Sequence, residues 1–269
     1  MKQVHRKRLW KAGKLFYLSL IFLFLYAPIL VLMIYSFNAS EYRGNWGGFT
    51  LDWYKSLFAN EAIMSALYYT LIIAVLAALI STVIGTAAAL AIARLRKTPQ
   101  ALVMNATYLP VLNPDIVTGV ALMMLFIFMR IPFGFTSLLL AHITFCVPYV
   151  ALSVLPKLNQ LKPNLYEAAL DLGASPFTAF RRVVLPQLMP GIVTGAIFAF
   201  TLSLDDFVIS YFTTGNGVQN LSISIYAMAR KGVSPEVNAV STLLFLTILL
   251  LLALVNWRGS HENKKDPTV

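Results

Sequence analysis

Three acids in apolar surroundings have the types and spacing to do chemistry. Asp205 and Asp206 adjoin in SLDDFVISYFTTG (Ser203 to Gly215), and Asp115 follows two prolines in LPVLNPDIVTG. A carboxylate inside an apolar run is costly and is expected to face protein or water. On one continuous helix Ser203, Asp206, Ser210 and Thr213 would share a stripe bordered by Phe207 and Tyr211, with Asp205 about 100° away. Carboxylates beside aromatic walls suit a cation, each cation–π contact adding about 0.5–2 kcal/mol. Asp206, Asp205, Asp115, Phe207, Tyr211 and Ser210 are therefore the candidate pathway residues. The competing expectation is structural: an Asp pair that bonds neighbouring backbone or an arginine.

A second stretch, NLYEAALDLGASPFTAFRRVVLP (Asn164 to Pro186), is polar in a chain that is 58% hydrophobic and only 12% charged. Pro163-Asn164 with Glu167 three residues on reads as a helix start, Asn capping free N–H groups while Glu reaches back. Gly173 suits the left-handed residue that ends a helix. Ser175-Pro176 then offers a cap with a first-turn proline, and Pro186 is expected to close a second short helix. The first helix would gather Leu165, Ala168, Ala169 and Leu172 at spacings of three and four.

Other chemistry finds little support. His142 and Cys146 stand four apart on one helix face, a spacing that suits two metal ligands, but two are too few for a closed site, and packing is the expected role. The single cysteine excludes an intrachain disulfide. No G-x-x-x-x-G-K-[ST] stretch occurs, so ATP, if used, is handled by a partner. No nucleophile with its base is recognisable, which disfavours a membrane enzyme, and no cofactor is expected.

These residues must be positioned by membrane helices. The mean hydropathy is +0.73, and a span needs roughly 20 apolar residues. Charge-free runs mark six expected spans: Leu15 to Phe37, Met64 to Ala93, Ala101 to Met129, Phe135 to Leu155, Gly191 to Phe212 and Val237 to Trp257. Strand-like alternation is missing, which argues against a barrel. The first run has a basic flank but no small-residue cleavage site after it, and is read as a retained helix. Pro110 and Pro114 should break or kink the third span, and such breaks line cavities or pack against protein. The rings Tyr42, Trp46, Trp53 and Tyr54 between the first two spans suit the membrane interface.

The formal charge of +10 then reports orientation. If the spans alternate, the segments Met1 to Lys14 (six Lys and Arg), Arg94 to Lys97 (three), Lys157 to Arg182 (four) and the tail from Arg258 (three) lie together and hold 16 of the 21. The positive-inside rule puts that side, and both termini, in the cytoplasm, so nucleic-acid binding is not expected. The expected organisation is a basic tail (1–14), a six-helix domain (15–257) with a cytoplasmic loop at 157–190, and a polar tail (258–269) ending HENKKDPTV.

Within that loop Glu167, Ala168, Ala169 and Gly173, followed after nine residues by Val183, Leu185 and Pro186, form E-A-A-x-x-x-G…V-x-L-P. This resembles the EAA loop of membrane subunits of ABC importers, with valine where isoleucine is usual. The resemblance covers most of the chain and is nearest to permease subunits of spermidine/putrescine importers. It is carried also by YAPILVLMIYSFN (Tyr26 to Asn38), AHITFCVPYVA (Ala141 to Ala151), Ser203 to Gly215 and GVSPEVNA (Gly232 to Ala239).

The resemblance implies an all-α, type I ABC importer permease fold in a bacterial inner membrane. Its partners would be a second permease subunit, two cytoplasmic ABC ATPase subunits and an extracytoplasmic polyamine-binding protein. It also implies that the helix carrying Glu167, Ala168, Ala169, Asp171 and Leu172, ended by Gly173, docks in the ATPase. The loop Thr213 to Pro235 is the expected contact for the binding protein. Alternatives are an ABC permease for another small solute such as iron or sulfate, and an ion-coupled secondary transporter of cations with Asp115 and Asp206 as proton carriers. The latter commonly shows paired repeats, and none is evident here.

Overall fold

The computed structural model describes residues 2–41, 44–162, 164–215, 217–231 and 235–262. Its helices are α1 Lys2–Tyr35, α2 Asp52–Ala59, α3 Glu61–Arg94, α4 Lys97–Leu112, α5 Asp115–Phe128, α6 Phe135–Asn159 and α7 Leu165–Asp171. They continue as α8 Pro176–Ala179, a π-helical turn at Phe180–Val184, α9 Leu185–Asp205, α10 Val208–Thr213, α11 Leu221–Lys231 and α12 Pro235–Glu262. Among the described residues the only extended pairings are isolated bridges, Asn38 with Phe49 and Gly215 with Val218.

Among the described residues four helical stretches are long and apolar enough to cross a membrane: Gly13–Tyr35, Glu61–Arg94, Phe135–Asn159 and Pro176–Asp205. At about 1.5 Å per residue, the 25 residues of α6 exceed a hydrocarbon core of about 30 Å. The third expected span is the pair α4 and α5, and the sixth falls on α12, whose stretch Pro235–Leu250 is a shorter apolar helix.

The third span is broken rather than kinked. Its halves meet at 106° across Asn113 and Pro114. Asn113 is extended (φ −74°, ψ 144°), the region favoured before proline, and Pro114 has no N–H to continue the ladder.

The chain forms two compact units, 1–64 with 225–269, and 65–224. In the first, α12 packs on α1 and α2. The connection between α1 and α2 is organised by Asn38, which is buried. Its Oδ1 accepts from the N–H of Gly47 at 2.7 Å and of Ser40 at 3.2 Å, and its Nδ2 donates to the Asn45 carbonyl at 2.8 Å. Trp53 Nε1 donates to the Asn38 carbonyl at 2.7 Å, and Tyr54 pairs with Ser36 Oγ at 2.7 Å. Two of the four interfacial rings thus fasten this loop. Trp46 remains exposed, and Tyr42 lies outside the described residues.

The second unit is centred on the pairing of α6 with α9. Its closeness depends on Gly191-x-x-x-Gly195, small residues one turn apart that let helix backbones approach. A Cβ on Gly195 would stand 3.1 Å from Val150 Cα, and one on Gly191 3.0 Å from the Ser153 carbonyl oxygen. Gly85 of α3 meets the same Val150, where a Cβ would fall 2.6 Å from the valine Cβ. Without a hydrophobic drive between helices in lipid, such close packing supplies much of the association energy. Gly119 of α5 likewise admits α10, its missing Cβ lying 3.4 Å from Ile209 Cα.

Two expectations about the fifth span are corrected. Pro186 does not end a short helix: the chain stays helical from Pro176 through Asp205, a 30-residue stretch. The π-turn accommodates the proline, with the Leu185 N–H reaching back five residues to the Phe180 carbonyl, so the ladder is already displaced where proline would break it. Nor does one helix run from Gly191 to Phe212. It stops at Asp205; Asp206 is extended (φ −60°, ψ 127°), and α10 begins at Val208.

Candidate functional site

The segment after α6 is built by local signals. Helix α7 ends as expected at Gly173, which is left-handed (φ 85°). The Gly173 N–H donates to the Leu170 carbonyl at 2.8 Å and the Ala174 N–H to the Ala169 carbonyl at 3.1 Å, the paired bonds of a Schellman ending. Ser175 caps α8, its Oγ accepting from the Thr178 N–H at 3.3 Å, with Pro176 in the first turn.

The start of α7 is where expected, but its mechanism differs. Asn164 is left-handed (φ 66°, ψ 10°) and its side chain caps nothing. Asn is among the few residues that tolerate this conformation, and from it the side chain is not presented to the first turn. Pro163 lies outside the described residues.

Nor do Leu165, Ala168, Ala169 and Leu172 form one inward face. Ala169 is buried and Leu165 partly so, whereas Ala168 is exposed and Leu172 is 90% exposed. Glu167, Asp171 and Gly173 are exposed too, and Phe177 projects beside them at 70% exposure. The segment therefore presents acids with two large apolar side chains. Behind them the π-turn connects α8 directly to α9 in one 30-residue helical stretch.

The break in the fifth span divides its acids. Asp206 is turned inward, its side chain 8% exposed. Its Oδ1 accepts from the Ile209 N–H at 3.2 Å and its Oδ2 from the Ser210 N–H at 2.7 Å, satisfying free donors in the first turns of α10. A hydrogen bond to a charged group is worth about 1.5–3 kcal/mol, so a carboxylate suits this break.

Asn220 Nδ2 donates to the Asp206 carbonyl at 3.0 Å while Asn220 Oδ1 accepts from Ile223 N–H at 3.0 Å, opening α11. Thr70 Oγ1 of α3 takes the Leu221 N–H at 2.8 Å. An asparagine before an apolar helix is a readable cap signal, so Asn220 could have been found from sequence. Its bond to Asp206, 14 residues earlier, could not.

Ser203, Asp206, Ser210 and Thr213, expected along one continuous helix, all turn into the protein from two helices, and three of them are fully buried. Asp205, expected about 100° away from that stripe, is the exposed acid. Tyr211 is 56% exposed, with the Phe207 ring 5.7 Å from its own. Asp115 is exposed at the start of α5, and Asp205 lies within electrostatic reach of both Asp206 and Asp115. Asp115, Asp205 and Tyr211 are thus exposed, whereas Asp206 is turned inward.

His142 and Cys146 face the same interior. His142 Nδ1 is 2.6 Å from Ser203 Oγ and Nε2 is 2.9 Å from Ser210 Oγ, with Asp206 Oδ2 3.7 Å away. Cys146 Sγ donates to the Ala199 carbonyl at 3.4 Å. Both ring nitrogens are already engaged, which leaves no lone pair for a metal. Among the described residues no group of three or more His, Cys, Asp or Glu side chains is gathered to hold one.

Comparison with known proteins adds to this geometry. Residues 81–259 match a family described as "Binding-protein-dependent transport system inner membrane component". The spermidine/putrescine transport system permease protein PotC of Escherichia coli (strain K12) is 41% identical over 261 residues, covering 97% of this chain and 96% of that protein. PotC of Haemophilus influenzae is 39% identical over 248 residues (91% and 96%), and the putrescine transport system permease protein PotI of E. coli K12 is 39% identical over 246 (88% and 86%).

Among solved structures, a bacterial ABC transporter involved in the import of the acidic polysaccharide alginate aligns with TM-score 0.69 at 17% identity, over 97% of this chain and 98% of that one. The bacterial alginate ABC transporter in complex with an alginate pentasaccharide-bound periplasmic protein gives 0.70 at 18%, over 99% and 98%. At such identities these two speak to the fold alone.

Proposed function

Because the chain belongs to the inner-membrane components of binding-protein-dependent transport systems, we propose that it is a permease subunit of an ATP-driven importer of polyamines. It is a multi-pass protein of the bacterial inner membrane with the type I ABC importer permease fold. The observation that carries the substrate class is 41% identity spread over 97% of the chain with a spermidine/putrescine permease. Similarity that continuous extends through both the coupling segment and the broken fifth span.

In this reading the chain crosses the membrane six times with both termini in the cytoplasm, and pairs with a second permease subunit. Two cytoplasmic ATPase subunits hydrolyse the ATP, and an extracytoplasmic binding protein delivers the cargo. The α7–α8 segment receives the ATPase through Leu172, Phe177, Glu167 and Asp171, and passes its movement through the π-turn into α9. The exposed Asp205 and Asp115 with Tyr211 offer charge and an aromatic face to an ammonium group. Asp206, Ser210 and Phe207 hold that surface in place. The segment Thr213 to Pro235, of which 216 and 232–234 lie outside the described residues, faces the binding protein.

The test is reconstitution of the co-purified complex in liposomes with its binding protein. ATP-dependent uptake of spermidine or putrescine, absent without the ATPase subunits, is the expected result. Uptake driven by an ion gradient without ATPase, or uptake of sulfate or iron and not of polyamines, would overturn it.

A further inference from the structure

His142 is nearly inaccessible, 1% exposed, yet it lies in an apolar helix with both ring nitrogens bonded. Its two partners sit on opposite sides of the break in the fifth span: Ser203 on α9 and Ser210 on α10. A neutral imidazole donates through one nitrogen and accepts through the other, so the two hydroxyls take complementary roles and neither bond is redundant. Ser210 also gives its backbone N–H to Asp206, so the ring, the serine and the aspartate form one connected brace. The edge of the Phe145 ring, with centroid 5.4 Å from the imidazole, closes the site on α6.

We propose that His142 is a positioning residue for cargo: it fixes the relative placement of α9 and α10, so that Asp206 stays turned in while Asp205 and Tyr211 are presented outward together. This rests on the reading of Asp205 and Tyr211 as the cargo surface. Removing the ring's hydrogen bonds releases α10 from α6 at Ser210 and leaves it held by Asp206, by its packing on α5 at Gly119 and by Ser137 Oγ, which donates to the Thr213 carbonyl at 2.8 Å. Asp205 and Tyr211, one on each side of the break, then shift relative to each other while the α6–α9 packing at Gly191 and Gly195 persists.

The test uses the whole complex in liposomes with its binding protein and spermidine, comparing His142→Leu, His142→Gln and Ser210→Ala. Gln keeps one donor and one acceptor near the Nε2 position, whereas Leu keeps neither. Leu is expected to raise the KM for uptake about tenfold with the maximal rate less affected, and Gln, which restores the Nε2 side but not the Nδ1 bond to Ser203, to recover part of that loss.

A second measurement needs no cargo. In a Cys146→Ala background, Asp205→Cys and Tyr211→Cys are labelled with a cationic, water-soluble thiol reagent, with and without His142→Leu. The expected result is a labelling rate changed by about tenfold at one or both positions.

Unchanged KM and unchanged labelling in an assembled His142→Leu complex would overturn the proposal, as would Gln being as impaired as Leu. If His142→Leu does not assemble, Ser210→Ala carries the test, since it removes one bond with little change in volume. Failure of both to assemble would make the brace purely structural and also overturn it. If Asp205→Asn transports spermidine with normal KM, the cargo reading has failed, and the labelling rates alone decide on the brace.

Discussion

Asp205 and Asp206 adjoin in the sequence and face opposite ways: the first is exposed, and the second is 8% exposed and bonded to the N–H groups of Ile209 and Ser210. This follows from the extended backbone at Asp206, which ends one helix and lets the side chain cap the next. The two positions should therefore fail differently. Asparagine at 206 can accept through Oδ1 alone and turns an NH2 toward a second donor, leaving a buried N–H unmet at about 1–3 kcal/mol. Asp206→Asn is expected to lower the thermal midpoint of the purified complex. Asp205→Asn should leave the midpoint unchanged and raise the KM for spermidine. Equal midpoints for the two variants would remove the structural role given to Asp206.

The glycines around Val150 give a rank order. A methyl group on Gly85 would lie 2.6 Å from Val150 Cβ, and one on Gly195 3.1 Å from Val150 Cα. Overpacking costs typically about 1–3 kcal/mol, and the shorter contact leaves less room for relaxation. Gly85→Ala should destabilise the complex more than Gly195→Ala when both are followed by fluorescence-detected size exclusion after heating. The reverse order would mean that α3 yields more readily than α9.

Gly173 should behave otherwise, because nothing lies within 4 Å of where its Cβ would be. The penalty there is conformational, about 1–2 kcal/mol for an ordinary side chain held left-handed. Asparagine tolerates that region and valine does not. Gly173→Asn is therefore expected to keep most binding-protein-stimulated ATP hydrolysis, while Gly173→Val loses it. If both lose it equally, the volume of the side chain at a partner's surface matters and the left-handed turn does not.

What was legible in the sequence is what local chemistry decides. The Gly173 ending, the Ser175 cap and the break before Asp115 each depend on a residue and its near neighbours, and each is found. The all-α fold and the family were readable from hydropathy and from the EAA pattern. The fifth span was not. Helical periodicity assumes a continuous helix, and the break at Asp206 is spanned by His142, which bonds Ser203 and Ser210, and by Asn220, which bonds the Asp206 carbonyl. No local signal marks that pairing, so the stripe was drawn on a helix that does not continue. Pro186 misled for a related reason: proline normally ends a helix, but a π-turn just before it displaces the carbonyl it would strike.

Orientation is the last expectation and depends on charge alone. Positive residues resist transfer across the membrane during insertion, so loops rich in Lys and Arg stay in the cytoplasm. The stretches Arg94 to Lys97 and Lys157 to Arg182 hold seven Lys and Arg between them, and the second contains the segment proposed to meet the ATPase. Lys97 and Arg182 are exposed, as are Asn45 and Gln219 in the loops expected on the opposite side. Single cysteines at these four positions, in a Cys146→Ala background, should separate cleanly in intact spheroplasts with a membrane-impermeant maleimide. Positions 45 and 219 should react before lysis, and 97 and 182 only after it. Reaction of position 182 from outside would invert the map and put the α7–α8 segment beyond the reach of any cytoplasmic ATPase.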